Sequence, residues 1–340
     1  MSLPNDSIPP KTLYGLAPAA PPSYRTLRYD GGGMAVSLDD FPPDDRALLH
    51  QLYAGLSAAY VELRERRDQP DLLIPRLRDL YHHNGWADLV ASMRGLGAEL
   101  PADGGNRRVR QVIHDLRGGA FQALAINLQL LSMGYERPDD LHRMFFLARD
   151  QLKIMRNSLP DLDPAGRARD EEQRLHHVGL LVEKWQGGDY KFQGHDAVVR
   201  MDCRYEGAIA ERCLEFSALD RVLYNLVNNA TAHAADNIVD VSILPLPSSD
   251  PHHLRFVVAN SVTPEQQAAL AAHFPDGPGR LFAGGFTTGG NGLGMRICAD
   301  FVCNAYGLAS VEQGLAEGHF GARLLDSRFL AWVHWPIAAD

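Results

Sequence analysis

No stretch of this 340-residue chain approaches the roughly 18 consecutive apolar residues of a membrane span, which argues against membrane insertion. Met1 to Asp6 lack the basic and apolar regions of a signal peptide. Cysteine is scarce. Cys203, Cys213, Cys298 and Cys303 form no CxxC pair and have no His at zinc spacing, so reduced thiols in a cytoplasmic protein are expected rather than a disulfide framework or zinc site. Positive charge is not in excess either. With 33 Lys and Arg against 42 Asp and Glu, the net charge of −9 lacks the basic face of a general nucleic-acid binder. No internal repeat is visible.

What is present is an ordinary globular composition, 45% hydrophobic, at a length that predicts two or three domains. Residues 1–24, rich in Pro, Ala and Ser, read as a disordered leader. Residues 25–104 read as a mainly helical input or docking region, after a short strand and Gly-rich turn at 26–38. In it Leu48, Leu52, Leu56, Ala59, Tyr60 and Leu63 recur at helical spacing. Leu100-Pro101-Ala102-Asp103-Gly104-Gly105 breaks the pattern. Residues 105–160 read as a helical hairpin turning at Gly134 to Asp139. Its second arm, Leu141, Phe145, Ala148, Leu152, Met155 and Leu159, steps alternately by four and three, the seam of a bundle. Two helices supply too little surface for such a seam, so a four-helix bundle from two chains is expected, a homodimer through 107–160. Residues 161–340 mix helices and strands without strict alternation, which predicts an α+β sandwich with helices on one face of a mixed sheet.

Three groups of residues carry chemistry. In the first hairpin arm, Val112-Ile113-His114-Asp115-Leu116-Arg117 sets an imidazole beside a carboxylate. Neutral imidazole is a competent nucleophile near pH 7, and Asp115 can orient it or take its proton, although a solvated His-Asp surface pair has the same appearance. Gly118-Gly119 follows, costing on the order of 1 kcal/mol each relative to Ala, which suggests a bend or a close approach. Further on, Asn225, Asn229 and His233 step by four and share a helix face. An amide oxygen there can hold hydrated Mg²⁺, with Asn229 as metal ligand, Asn225 beside it and His233 toward phosphate; the plain alternative is the polar face of a surface helix. Last, Phe286-Thr287-Thr288-Gly289-Gly290-Asn291-Gly292-Leu293-Gly294 precedes an apolar helix, and its glycines let backbone close on phosphates. Asparagine helix and glycine loop together read as an ATP site that does not use a Walker loop.

In this order, residues 107–340 resemble a bacterial sensor histidine kinase with an ATP-binding domain of the GHKL type. His114-Asp115-Leu116-Arg117 is similar to the phospho-acceptor box, residues 225–233 to the asparagine box, and Phe286-Thr287-Thr288 with Gly290, Gly292 and Gly294 to the phenylalanine and second glycine boxes. The resemblance implies a protein histidine kinase of a two-component system, a phosphotransferase acting on a nitrogenous group. ATP would lie under a lid at about 264–290, contacted by Asn225, Asn229, His233, Asn260, Thr287, Thr288, Gly290, Gly292 and Gly294, with Mg²⁺ on Asn229. Its γ-phosphoryl group would pass to His114, with Asp115 as base, and then to an Asp of a separate response-regulator receiver domain. Three departures stand out. Asn260-Ser261-Val262-Thr263-Pro264 replaces the usual Asp-x-Gly-x-Gly, Gly289 replaces a frequent Lys, and Gly118 stands where a Thr or Asn is linked to phosphatase action. Two other classes share the pattern. One is a histidine phosphotransferase or pseudokinase with weak or no ATP use. The other is an ATPase clamp or anti-sigma-type kinase acting on Ser or Thr.

Overall fold

The computed structural model describes residues 8–16, 29, 35–66, 68–100, 107–135, 138–187, 189–192, 194–246, 253–284 and 293–337. Two compact units result, Gly31–Glu172 and a second built from Met1–Asp30 with Gln173–Asp340. A helical region is thus followed in the chain by an α/β unit, and among the described residues no helix is long and apolar enough to cross a membrane.

The chain begins with helix α1 (Pro10–Tyr14), inside the segment expected to be disordered. Leu13 and Leu16 are buried there, in one apolar cluster with Leu244, Val257, Ala259, Leu330 and Trp332. The expectation fails for residues 8–16 because their partners lie more than 200 positions away, where composition gives no hint of them. The strand expected at 26–38 falls mostly outside the described residues, and Leu38–Asp40 form a 3₁₀ turn instead.

The helical unit comprises α2 (Pro43–Arg66), α3 (Pro70–His83), α4 (Trp86–Met93), α5 (Arg107–Leu116), α6 (Gly119–Ser132), α7 (Pro138–Ser158) and α8 (Pro164–Glu171). The segments expected as separate, 25–104 and 105–160, fall largely inside this single unit. Leu49, Leu52, Leu56, Ala59 and Leu63 of α2 are fully buried, and full burial of a leucine contributes about 1.5–3 kcal/mol. α2 packs against α7, where Tyr60 stacks on Phe145 at 5.5 Å, and α3 packs against α6, where Arg78 Nε donates to Leu131 O at 2.9 Å. The seam of α7 therefore finds its partners within the chain. A second copy is not needed to cover it, contrary to the expectation from the hairpin alone.

The α/β unit contains β1 (Gln173–His177), α9 (Gly179–Trp185), β2 (Asp189–Phe192), β3 (His195–Cys203), β4 (Ala208–Arg212), α10 (Cys213–His233), β5 (Ile238–Pro245), β6 (His253–Ser261), α11 (Pro264–His273), α12 (Gly294–Tyr306), α13 (Val311–Ala316), β7 (Phe320–Leu325) and β8 (Arg328–Pro336). Six strands form a mixed sheet in the order β2-β3-β5-β6-β8-β7, with β3 and β5 parallel; β1 and β4 pair separately. Side chains alternate along β6. Val257 and Ala259 face α1, so Leu254, Phe256, Val258 and Asn260 turn to the side that α10 covers. Both faces of β6 are buried in consequence.

Candidate functional site

α10 is amphipathic over 21 residues, with Leu219, Val222, Leu223, Leu226 and Ala230 in the core. Asn225, Asn229 and His233 lie on its half-buried side. Asn228 belongs to the other side: it is buried, and its Oδ1 accepts a hydrogen bond from Tyr190 at 2.6 Å. Burial pushes the His233 imidazole below its ordinary range, and neighbouring His195 adds to the shift. A neutral ring at that position offers a phosphate one N–H donor rather than a positive charge.

α12 packs against α10. It begins at Gly294, and a Cβ there would stand 3.8 Å from Asn225 Oδ1, so the asparagine side chain lies beside the first turn of α12. Among the described residues no side chain caps α12, Leu293 making no cap hydrogen bond, whereas Thr263 and Gln266 form a capping box on α11 and Ser310 caps α13. An uncapped helix start presents backbone N–H groups and a positive dipole end, the combination that holds phosphate oxygens. Thr287, Thr288, Gly290 and Gly292 lie outside the described residues.

Asn260, next to last in β6, is almost wholly buried, 1% exposed, and its Nδ2 donates to Ser261 O at 2.9 Å. Its Oδ1 is the group it has to offer a ligand donor. After Asn260 the chain enters α11 directly, with Val262 buried and Thr263 as the cap. No residue of α11 is buried, while Phe282 beyond it is fully buried against Phe320 at 5.0 Å. The expected lid thus has an exposed helix at one end and an anchored aromatic toward the other.

A divalent cation fits the donors present here. Among the described residues no group of three His, Cys, Asp or Glu side chains could hold a metal. The amide oxygens of Asn225 and Asn229 are hard donors of the kind Mg²⁺ accepts, provided nucleotide phosphates and water complete its shell.

His114 belongs to the helical unit. Its side chain is 26% exposed, its Nδ1 is buried, and Nδ1 stands 3.7 Å from Asp115 Oδ1. The carboxylate retains only 7% exposure. Directly behind this pair the arm breaks between Leu116 and Gly119, the bend anticipated from the two glycines. Arg117, to which residue spacing assigns no role, donates from its guanidinium to Met93 O at 2.7 Å and Arg94 O at 2.8 Å. The signal available was Gly95-Leu96-Gly97, a turn composition that lets backbone approach α5 closely.

Residues 215–324 match the model of the histidine kinase-, DNA gyrase B- and HSP90-like ATPase family. The matched segment runs from α10 to β7 within the α/β unit, which resembles an ATPase domain of this type, and the chain resembles a sensor histidine kinase. No curated protein matches the sequence. Similar solved structures include the catalytic domain of the histidine kinase ThkA, at 18% identity and a TM-score of 0.29, covering 42% of this chain and 80% of that one. Full-length ShkA in complex with AMPPNP is 16% identical with a TM-score of 0.32, covering 75% of this chain and 46% of that one. The histidine kinase domain from Erythrobacter litoralis EL346 is 12% identical with a TM-score of 0.31, covering 68% and 94%.

Proposed function

We propose that this protein is an ATP-dependent protein histidine kinase that phosphorylates itself on His114 and passes the group to an Asp of a response regulator. The observation that carries the reading is the start of α12 at Gly294 beside Asn225 Oδ1, on the helix that also bears Asn229, with no cap from Leu293. Its amides would hold phosphate oxygens, with Asn229 and Asn225 toward the cation, which supplies charge neutralisation. Asn260 would accept from the adenine amino group.

At the acceptor, the burial of Nδ1 leaves Nε2 as the attacking nitrogen. Nε2 bonds to the γ-phosphorus as the bond to the bridging oxygen breaks, ADP leaves, and the Nδ1 proton goes to Asp115. Most of the rate would come from positioning and charge neutralisation, as in other phosphoryl transfers. The protein would act in the cytoplasm, with its four cysteines as free thiols. It would act as a homodimer through 107–160, where Ile126 and Leu130 of α6 and Met133 at its end stand 56%, 41% and 61% exposed along one stripe.

Incubation with γ-labelled MgATP tests the proposal. Wild type is expected to take up label, His114→Gln none, and Asn229→Ala at least about a hundredfold less. Equal labelling of His114→Gln would contradict the acceptor assignment. A second reading, a relay protein without ATP use, is favoured by the passage from Asn260 into capped α11 with no intervening glycine. It requires no nucleotide binding at millimolar MgATP.

A further inference from the structure

The break behind His114 is built rather than frayed. Interrupting a helix frees carbonyls that need new donors. Leu116 O receives Gln151 Nε2 from α7 at 2.9 Å, and Gln151 is fully buried. Gly118 restarts the chain as the first flank of α6 with φ −58° and ψ 176°, and a Cβ there would press on Asp115 O. Arg117 lies in the break and turns away from the hairpin. Its Nε donates to Met93 O at 2.7 Å, and its Nη2 donates to Arg94 O at 2.8 Å and also to Leu96 O. These carbonyls close α4 and form the turn behind it, where a helix end favours a cation.

The same turn meets the acceptor segment on its other side. Gly97 has φ +75°, and a Cβ on it would overlap Ile113 Cδ1, the residue just before His114. The Gly97 N–H in turn donates to Asp45 Oδ2 in the first turn of α2 at 2.9 Å. Residues 94–97 therefore hold the chain immediately before the imidazole and three residues after it, and they are themselves tied to α2 and α4.

We propose that Arg117 is a positioning residue for phosphoryl acceptance, and that α2 and α4 set the orientation of His114 through the turn at 94–97. The proposal rests on reading His114 as the acceptor. A guanidinium seated on several carbonyls fixes direction through its fork; Lys keeps the charge and one contact but not the fork.

The test uses the full chain as wild type, Arg117→Ala, Arg117→Lys and Gly97→Ala. Three quantities are read: labelling rate against MgATP concentration, melting temperature, and the rate at which diethylpyrocarbonate modifies His114 by peptide mapping. Arg117→Ala is expected to lower the maximal rate by about tenfold or more with half-saturation unchanged. Arg117→Lys recovers part of the loss, and His114 modification changes in the Ala variant more than in the Lys variant. Gly97→Ala, which pushes on Ile113 while Arg117 is kept, gives the same split between rate and half-saturation. Melting curves separate misplacement from unfolding. A wild-type maximal rate in folded Arg117→Ala or Gly97→Ala overturns the proposal, as does unaltered His114 modification in Arg117→Ala. If the wild type takes up no label, the kinase reading fails, while the modification rates still decide the positioning claim.

Discussion

α10 runs unbroken from Cys213 to His233 and buries Leu226, Asn228 and Ala230 beside Asn225 and Asn229, whereas the arm carrying His114 stops two residues after it and starts again at Gly119. The proposed nucleotide side is anchored to a sheet strand buried on both faces; the proposed acceptor side hangs on hydrogen bonds to a turn and to Gln151. Packing resists displacement everywhere along a helix. A few hydrogen bonds at a break hold one orientation and release it if the turn moves. On the proposed function, the contrast places rigidity where a ligand is to be gripped and adjustability where a reacting ring is to be presented.

The sheet side is most exposed to a break at Arg255. This guanidinium is fully buried on β6, donating to Leu13 O at 2.8 Å, to Tyr14 O at 2.9 Å and from Nε to His334 Nε2 at 2.8 Å. Burial lowers its pKa to about 10, which still leaves it charged at neutral pH. Arg255→Met strands those acceptors and is expected to cost about 3 kcal/mol or more, read by denaturant unfolding. An unchanged stability would mean that α1 adds nothing to the α/β unit.

A smaller effect follows from pH. The four buried histidines among the described residues, His176, His253, His319 and His334, all lie in the α/β unit. Burial, then Arg255, His319 and His253, hold His334 well below the ordinary imidazole range. Burial also lowers His319, against the opposing effect of Glu317 at 3.2 Å. Unfolded histidine takes a proton near pH 6.5, and the folded rings of His319 and His334 resist it, so the unfolded chain binds more protons below that pH. This stability is complete above about pH 6.5 and is lost as pH falls toward the folded values. The melting temperature of the α/β unit is expected to drop between pH 7.5 and pH 5.5, more than that of the helical unit.

The smallest effect sharpens the base site. A carboxylate accepts a hydrogen bond roughly twice as strongly as an amide oxygen, so Asn260→Asp is expected to tighten adenine nucleotide binding by about fivefold. Titration with a fluorescent ATP analogue measures it; no change would move the base away from Asn260.

Much of this was readable from residue spacing. Helix 44–67, the hairpin near 107–160, the asparagine helix and the strands at 239–243, 254–259 and 329–335 each carry a local period or alternation, and each has its counterpart. What spacing concealed depends on distant partners. α1 is five residues with no helical stripe of its own, and it persists through Val257, Trp332 and Arg255. The covering of α7 by α2 was hidden in the same way, since an apolar seam does not state whose surface fills it. Within the candidate site, Asn225 and Gly294 were legible as motif members. The role of Arg117 was not, because three carbonyl acceptors leave no mark on side-chain identity.

The central claim is that the phosphoryl group of ATP ends on the ring of His114. Peptide mapping of the chain after incubation with MgATP, performed at neutral to alkaline pH and repeated after mild acid, tests it most directly. The account requires phosphate on the peptide containing His114 in the first map and its loss in the second. Acid-stable phosphate on Ser or Thr, or acid-labile phosphate on another histidine, would contradict it.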